Sequence, residues 1–175
     1  MNYFQLFGLE IQFTIDLAKL STIYQTLQKK VHPDRFAHGS SQEQMLAVKK
    51  STLINDAYQT LKKPLKRAQY LLELRGISMP NEQASFGDVG FLMHQMELRE
   101  MLDEVKHADD VDAAVFDAAQ VFEAEFQQLF NQLQSQLAEN TQESNSLACD
   151  NLRKLKFYQK LNIELDKLEE LLLDD

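Results

Sequence analysis

The histidines His32, His38, His94 and His107 stand far apart, and none forms the two-histidine helical pair of a zinc hydrolase. His94 and Glu97 sit one turn apart and could supply two ligands to a metal, which is too few for a site. Cys149 is the single cysteine, so neither an internal disulfide nor a cysteine-rich zinc site is available. No glycine-rich phosphate loop occurs, and the chain is not expected to hydrolyse ATP itself. We therefore expect no catalytic residue, no metal and no cofactor. What remains is His32-Pro33-Asp34, a carboxylate beside an imidazole with no acid, nucleophile or pocket that the sequence reveals. Its chemistry is recognition.

The elements on either side must hold that tripeptide in place. Upstream, Leu17, Leu20, Tyr24, Leu27 and Val31 recur at helical spacing. Downstream, Leu46, Leu53, Ile54, Ala57, Tyr58 and Leu61 mark a second apolar stripe. Pro33 drives His32 out of the helical region and ends the first helix. Ser40 followed by Glu43 reads as a capping box that starts the second. Two helices joined by a short polar loop pack antiparallel, so the loop projects from the end of a hairpin. Tyr3-Phe4-Gln5-Leu6-Phe7-Gly8-Leu9 reads as a short helix whose aromatics close the open side. Pro64 suits a helix start and Gly76 a helix end, which frames one more amphipathic helix.

Charge divides the chain. Residues 1–75 carry eleven Lys and Arg against six Asp and Glu, whereas 76–175 carry seven against twenty-one. The overall net charge of −9 argues against a nucleic-acid or anionic-membrane partner. The basic half favours an acidic surface. Breaker residues Gly76-Ile77-Ser78-Met79-Pro80-Asn81 place a boundary here. We expect a domain over 1–75, a linker over 76–84 and a second domain over 85–175. With 5 glycines and 3 prolines, abundant Leu, Gln, Glu, Lys and Ala, and little period-two alternation, the fold class is all-α. The second domain reads as a three-helix bundle with helices near 87–107, 110–138 and 146–173. Leu161, Leu165, Leu168 and Leu172 run along the last as a coiled-coil-like seam. No apolar run reaches bilayer length and no signal-peptide pattern opens the chain, which fits a cytoplasmic protein.

The first bundle helix has two apolar faces. At about 100° per residue, Phe91, Leu98, Leu102 and Val105 share one sector, enough to bury it. Leu92, Met93 and Met96 fall on the opposite side with Glu97 and Glu100. Either the helix is buried on both sides or this second cluster is a partner surface, for which flexible methionines are suited.

The hairpin with its His32-Pro33-Asp34 tip, followed by Arg35-Phe36 and later by Lys66-Arg67-Ala68-Gln69-Tyr70, resembles a J-domain, the module that triggers ATP hydrolysis in DnaK-type chaperones. Three further stretches resemble the HscB co-chaperones of iron–sulfur cluster assembly. They are Tyr3–Leu9, Phe91–Glu100 and Arg153-Lys154-Leu155-Lys156-Phe157, and the likeness spans nearly the whole chain. It implies an N-terminal J-domain and a C-terminal bundle that binds the cluster scaffold protein IscU. It also implies delivery of IscU to a DnaK-like chaperone, HscA, with stimulation of that partner's ATPase. The chaperone-binding residues would be His32, Pro33, Asp34, Arg35, Lys29 and Lys30. The scaffold contacts implied are Leu92, Met93, Met96, Glu97, Glu100 and Phe157, and the helical wheel independently supports the first five. Arg35 stands where the family often has lysine, and Thr22, Gln25, Thr26 and Gln28 leave the first hairpin helix sparsely basic. The alternative is a general DnaJ-like folding co-chaperone for DnaK, although the Gly/Phe-rich region and zinc repeats of that class are missing from this sequence.

Overall fold

The structure, a computed structural model, describes residues 1–80 and 87–173. These residues form helices and no strand, in two compact units, Met1–Ile77 and Ser78–Asp175. The expected linker, 76–84, and the expected start of the second domain at 85 lie partly outside the described residues.

In the first unit the helices are α1 (Tyr3–Leu6), α2 (Leu17–Val31), α3 (Ser41–Lys62) and α4 (Pro64–Leu74), with a 3-10 turn at Pro33–Phe36. The helix ends follow local chemistry. Asn2 and Gln5 form a reciprocal capping box on α1. Asp16 accepts the Lys19 N–H at the start of α2, and Ser40 Oγ accepts the Glu43 N–H at 3.1 Å at the start of α3. Pro64 occupies the first turn of α4. At its far end Gly76 takes φ +84°, and Ile77 N–H reaches back to Leu72 C=O at 2.9 Å, a Schellman closure.

Helices α2 and α3 run antiparallel. Gln28 pairs with Ser51, and Tyr24 pairs with Asn55 while stacking on Tyr58 at 4.0 Å. The buried face of α3 is Ala47, Ile54, Ala57 and Leu61. Leu46 and Leu53, expected in that stripe, are about half exposed, as is Leu17 on α2. Each α3 leucine precedes a buried position by one residue, which rotates it about 100° onto the flank. Phe4 and Phe7 are fully buried, so the N-terminal aromatics close this core as the sequence suggested.

Arg67, read in the sequence only as part of a basic stretch, is buried. Its Nε donates to Phe13 C=O and its Nη1 to Leu61 C=O, both at 2.7 Å, and its guanidinium lies 4.8 Å over the Phe13 ring. It ties the α1–α2 connection to the end of α3. Tyr70 is likewise structural, accepting the Tyr3 N–H at 2.9 Å and stacking on the Tyr3 ring.

The second unit holds α5 (Val89–Val105), α6 (Val111–Glu139) and α7 (Gln142–Leu173). Helix α5 runs parallel to α7, since Asp88 meets Lys154, Phe91 meets Phe157 and Arg99 meets Glu164. Helix α6 runs antiparallel to α7, with Glu125 opposite Tyr158 and Gln136 opposite Asn151. Phe91, Leu98, Leu102 and Val105 are all buried, and they join Phe122, Tyr158, Leu161 and Leu165 in one core. Leu168 and Leu172 extend this seam in partly buried positions. Helix α7 starts at Gln142, four residues before the expected 146. Asn140 adopts φ 51°, ψ 50°, the left-handed stop that asparagine tolerates. Thr141 Oγ1 then accepts the Ser144 N–H and starts the next helix at once. Cys149 is buried with its Sγ 3.4 Å from Met79 Sδ, and burial pushes its thiol pKa up.

Candidate functional site

Two surfaces carry the residues singled out by sequence, one in each unit. The first is the hairpin tip. Helix α2 stops at Val31, and His32 turns out with φ −55°, ψ 131°, as Pro33 requires. The following residues are not an open loop but a turn of 3-10 helix, Pro33–Phe36. His32 Nδ1 accepts the Asp34 N–H at 3.2 Å and lies 3.5 Å from Asp34 Oδ2. The imidazole therefore acts as cap of the turn, and its Nδ1 is the unprotonated nitrogen when it accepts. The Asp34 carboxylate stays 92% exposed. Arg35 bends back, its Nη1 donating to Lys29 C=O at 3.1 Å. That bond satisfies a terminal carbonyl of α2 and places a cation at the negative end of the helix dipole, where Lys29 and Lys30 also lie exposed. Arg35 is thus a fastener of the tip as well as a surface charge. A groove of about 560 Å³ runs beside the tip along α2 and α3, lined by Tyr24, Gln28, Lys29, His32, Ser51 and Asn55 among others.

The second surface is the outer face of α5. Asp88 caps the helix, accepting the Phe91 N–H at 3.0 Å and pairing with Lys154 at 3.2 Å. These bonds hold its carboxyl below the usual range, the backbone bond contributing most. Lys154 also lies 5.0 Å over the Phe91 ring, so the start of α5 is pinned to α7. With Phe91 inward, Met93 and Met96 emerge 60% and 72% exposed, and Glu97 and Glu100 beside them are exposed. Leu92 is partly buried. Phe157, which the sequence left open, is half-buried against Phe91 at 5.9 Å, with the Arg99 guanidinium 5.6 Å from its ring. The structure thus brings Leu92, Met93, Met96, Glu97 and Glu100 onto one helix. Phe157 reaches this helix from α7 through Phe91.

The His94–Glu97 pair noted in the sequence meets a third group in the structure. Each ring nitrogen of His94 faces its own carboxylate, Nδ1 that of Glu97 and Nε2 that of Glu125, so the two acids lie on opposite sides of the imidazole. Among the described residues no group of three or more His, Cys, Asp or Glu is placed to hold a metal. Glu125 and Tyr158, which complete this arrangement, went unnoticed in the sequence. They lie 31 and 64 residues from His94, and no local pattern links them.

Comparison with known proteins reaches the same architecture. Residues 2–70 match the DnaJ domain model, and residues 87–166 match the model described as the HSCB C-terminal oligomerisation domain. A co-chaperone protein HscB homolog of Colwellia psychrerythraea is 62% identical over 175 residues, covering 100% of both chains. One from Shewanella baltica is 44% identical over 174 residues, covering 99% of this chain and 100% of that one. The solved chaperone HscB from Vibrio cholerae aligns with TM-score 0.92 at 47% identity, over 98% of this chain and 99% of that one. Human co-chaperone protein HscB aligns with TM-score 0.89 at 33% identity, over 98% and 84% of the respective chains. Among the described residues, no helix is long and apolar enough to cross a membrane. A J-domain with an exposed His32-Pro33-Asp34 tip, a bundle of the HscB type and full-length likeness to its members establish that this chain belongs to the HscB family of J-domain co-chaperones.

Proposed function

We propose that this chain binds the iron–sulfur scaffold protein IscU, delivers it to the DnaK-like chaperone HscA, and stimulates that partner's ATPase. The observation that carries the reading is exposure at both family-specific surfaces. Asp34 holds its carboxylate out at 92% exposure, and Met93 and Met96 stand out of a helix already buried through its other face. An apolar patch bordered by charge matches a partner of complementary form. The scaffold contacts are Leu92, Met93, Met96, Glu97 and Glu100 on α5 with Phe157 at the edge. The chaperone contacts are His32, Pro33 and Asp34, with Lys29, Lys30 and Arg35 steering an acidic surface of the ATPase.

The chain's own contribution is binding and positioning. Asp34 meets cations of the chaperone and favours its hydrolysing state through contacts that differ between the two states. No atom of this chain enters the reaction. The His32 cap and the Arg35–Lys29 fastening keep Asp34 oriented before docking, which lowers the ordering cost of the encounter. The test is Asp34→Asn, which removes one charge from a fully solvated side chain and leaves the fold intact. ATP hydrolysis by the chaperone should lose its stimulation, while the dissociation constant for the scaffold stays unchanged. Full stimulation by the variant overturns the role of the tip. Capture of many unfolded clients without the scaffold would favour the general folding co-chaperone instead.

A further inference from the structure

One carboxylate joins all three helices of the second unit. Glu125 of α6 lies 2.8 and 2.9 Å from His94 Nε2 on α5 and accepts the Tyr158 hydroxyl of α7. Tyr158 is buried, and burial followed by the neighbouring Glu125 carboxylate pushes its pKa far up, so it remains a donor. On the other side of the imidazole, His94 Nδ1 lies 3.2 Å from Glu97 Oε2. A neutral imidazole has one N–H and can serve one of these acids; an imidazolium serves both.

The groups facing His94 are Glu97 on its own helix, Glu125 on α6, and Tyr158 on α7 acting through Glu125. Glu125 raises the His94 pKa most; burial opposes it, and Glu97 adds to the rise. The stabilisation from the charged form is therefore complete below about pH 6.5 and is lost as pH climbs through the raised folded value. Glu97 belongs to the recognition face, where Glu100 has no ion pair among the described residues. The face thus combines apolar anchors with carboxylates and fits a partner that sets cations beside an apolar hollow.

We propose that His94 tunes what this face accepts, because as imidazolium it competes with the partner's cations for Glu97 and as neutral imidazole it releases that carboxylate to them. The inference rests on the scaffold-binding reading above. A cation brought to Glu97 repels the imidazolium, so the complex favours the neutral ring and binding releases a proton. By linkage, affinity rises with pH through the His94 titration, by roughly three- to tenfold between pH 6 and 8.

The test titrates purified scaffold protein into the full chain and into His94→Gln at pH 6, 7 and 8 by calorimetry. The scaffold's own titrations enter both series, so the ratio of the two affinities isolates His94. A ratio that moves by the stated factor supports the proposal, and a constant ratio overturns it. A second measurement needs no partner. The His94 ring should titrate at lower pH in Glu97→Gln by NMR, and an unchanged titration overturns the competition. Met93→Ala with Met96→Ala separates the two readings. A constant ratio while this double variant still binds weakly sinks the role of His94 alone. Unchanged affinity in the double variant sinks the assignment of the face.

Discussion

Replacing Met93 and Met96 together by alanine tests the α5 face most directly. Fully burying a methionine side chain is worth about 1.5–3 kcal/mol. In the free chain Met93 is 60% and Met96 72% exposed, so about two-thirds of that gain is still available to a partner. Alanine retains its Cβ, and an interface rarely buries every atom of both side chains. A loss of about 2 kcal/mol for the pair follows, or roughly thirtyfold in the dissociation constant. The same exposure means that the fold should hardly notice the change, since no cavity opens in the core of Phe91, Leu98, Leu102 and Val105. The assay is calorimetric titration with the scaffold, run beside thermal unfolding of the free variant. The reasoning is refuted by unchanged affinity. It is refuted equally if affinity and melting temperature fall together by several degrees, because the methionines would then be supporting the bundle rather than meeting a partner.

Arg67→Met should destabilise the first unit by about 2–4 kcal/mol in chemical denaturation, since two buried carbonyls, of Phe13 and Leu61, lose their donors. Arg67→Lys should recover only part of this, having no planar fork to reach both. Gly76→Ala should cost about 1 kcal/mol by the same measurement, because φ +84° is strained for any residue with a Cβ although nothing crowds the position. The lowered pKa of Asp88 makes a pH prediction. Its bonds to Phe91 N–H and Lys154 contribute stability above the ordinary carboxylate value of 3.8 that is lost as pH falls through the lower folded value. Asp88→Asn should therefore flatten the acid limb of the stability curve measured by denaturation between pH 2 and 5.

The helices and their order were legible in the sequence because each rests on residues within four positions of one another. Pro33, Pro64 and Gly76 act through their own backbone torsions, and Ser40 through the first turn that follows it. The α5 wheel belongs to the same class, since 3.6-residue periodicity assigns Phe91, Leu98, Leu102 and Val105 to one face whatever lies against it. Local pattern was silent about which polar side chains meet across helices. Arg67 read only as part of a basic stretch, and nothing near it in sequence points to Phe13, 54 residues away, whose carbonyl it holds. His94 and Glu97 read as neighbours on a helix until Glu125 and Tyr158 closed on the other ring nitrogen. Such meetings depend on the register between packed helices, which is set by the whole core at once and leaves no trace at the separations a sequence displays.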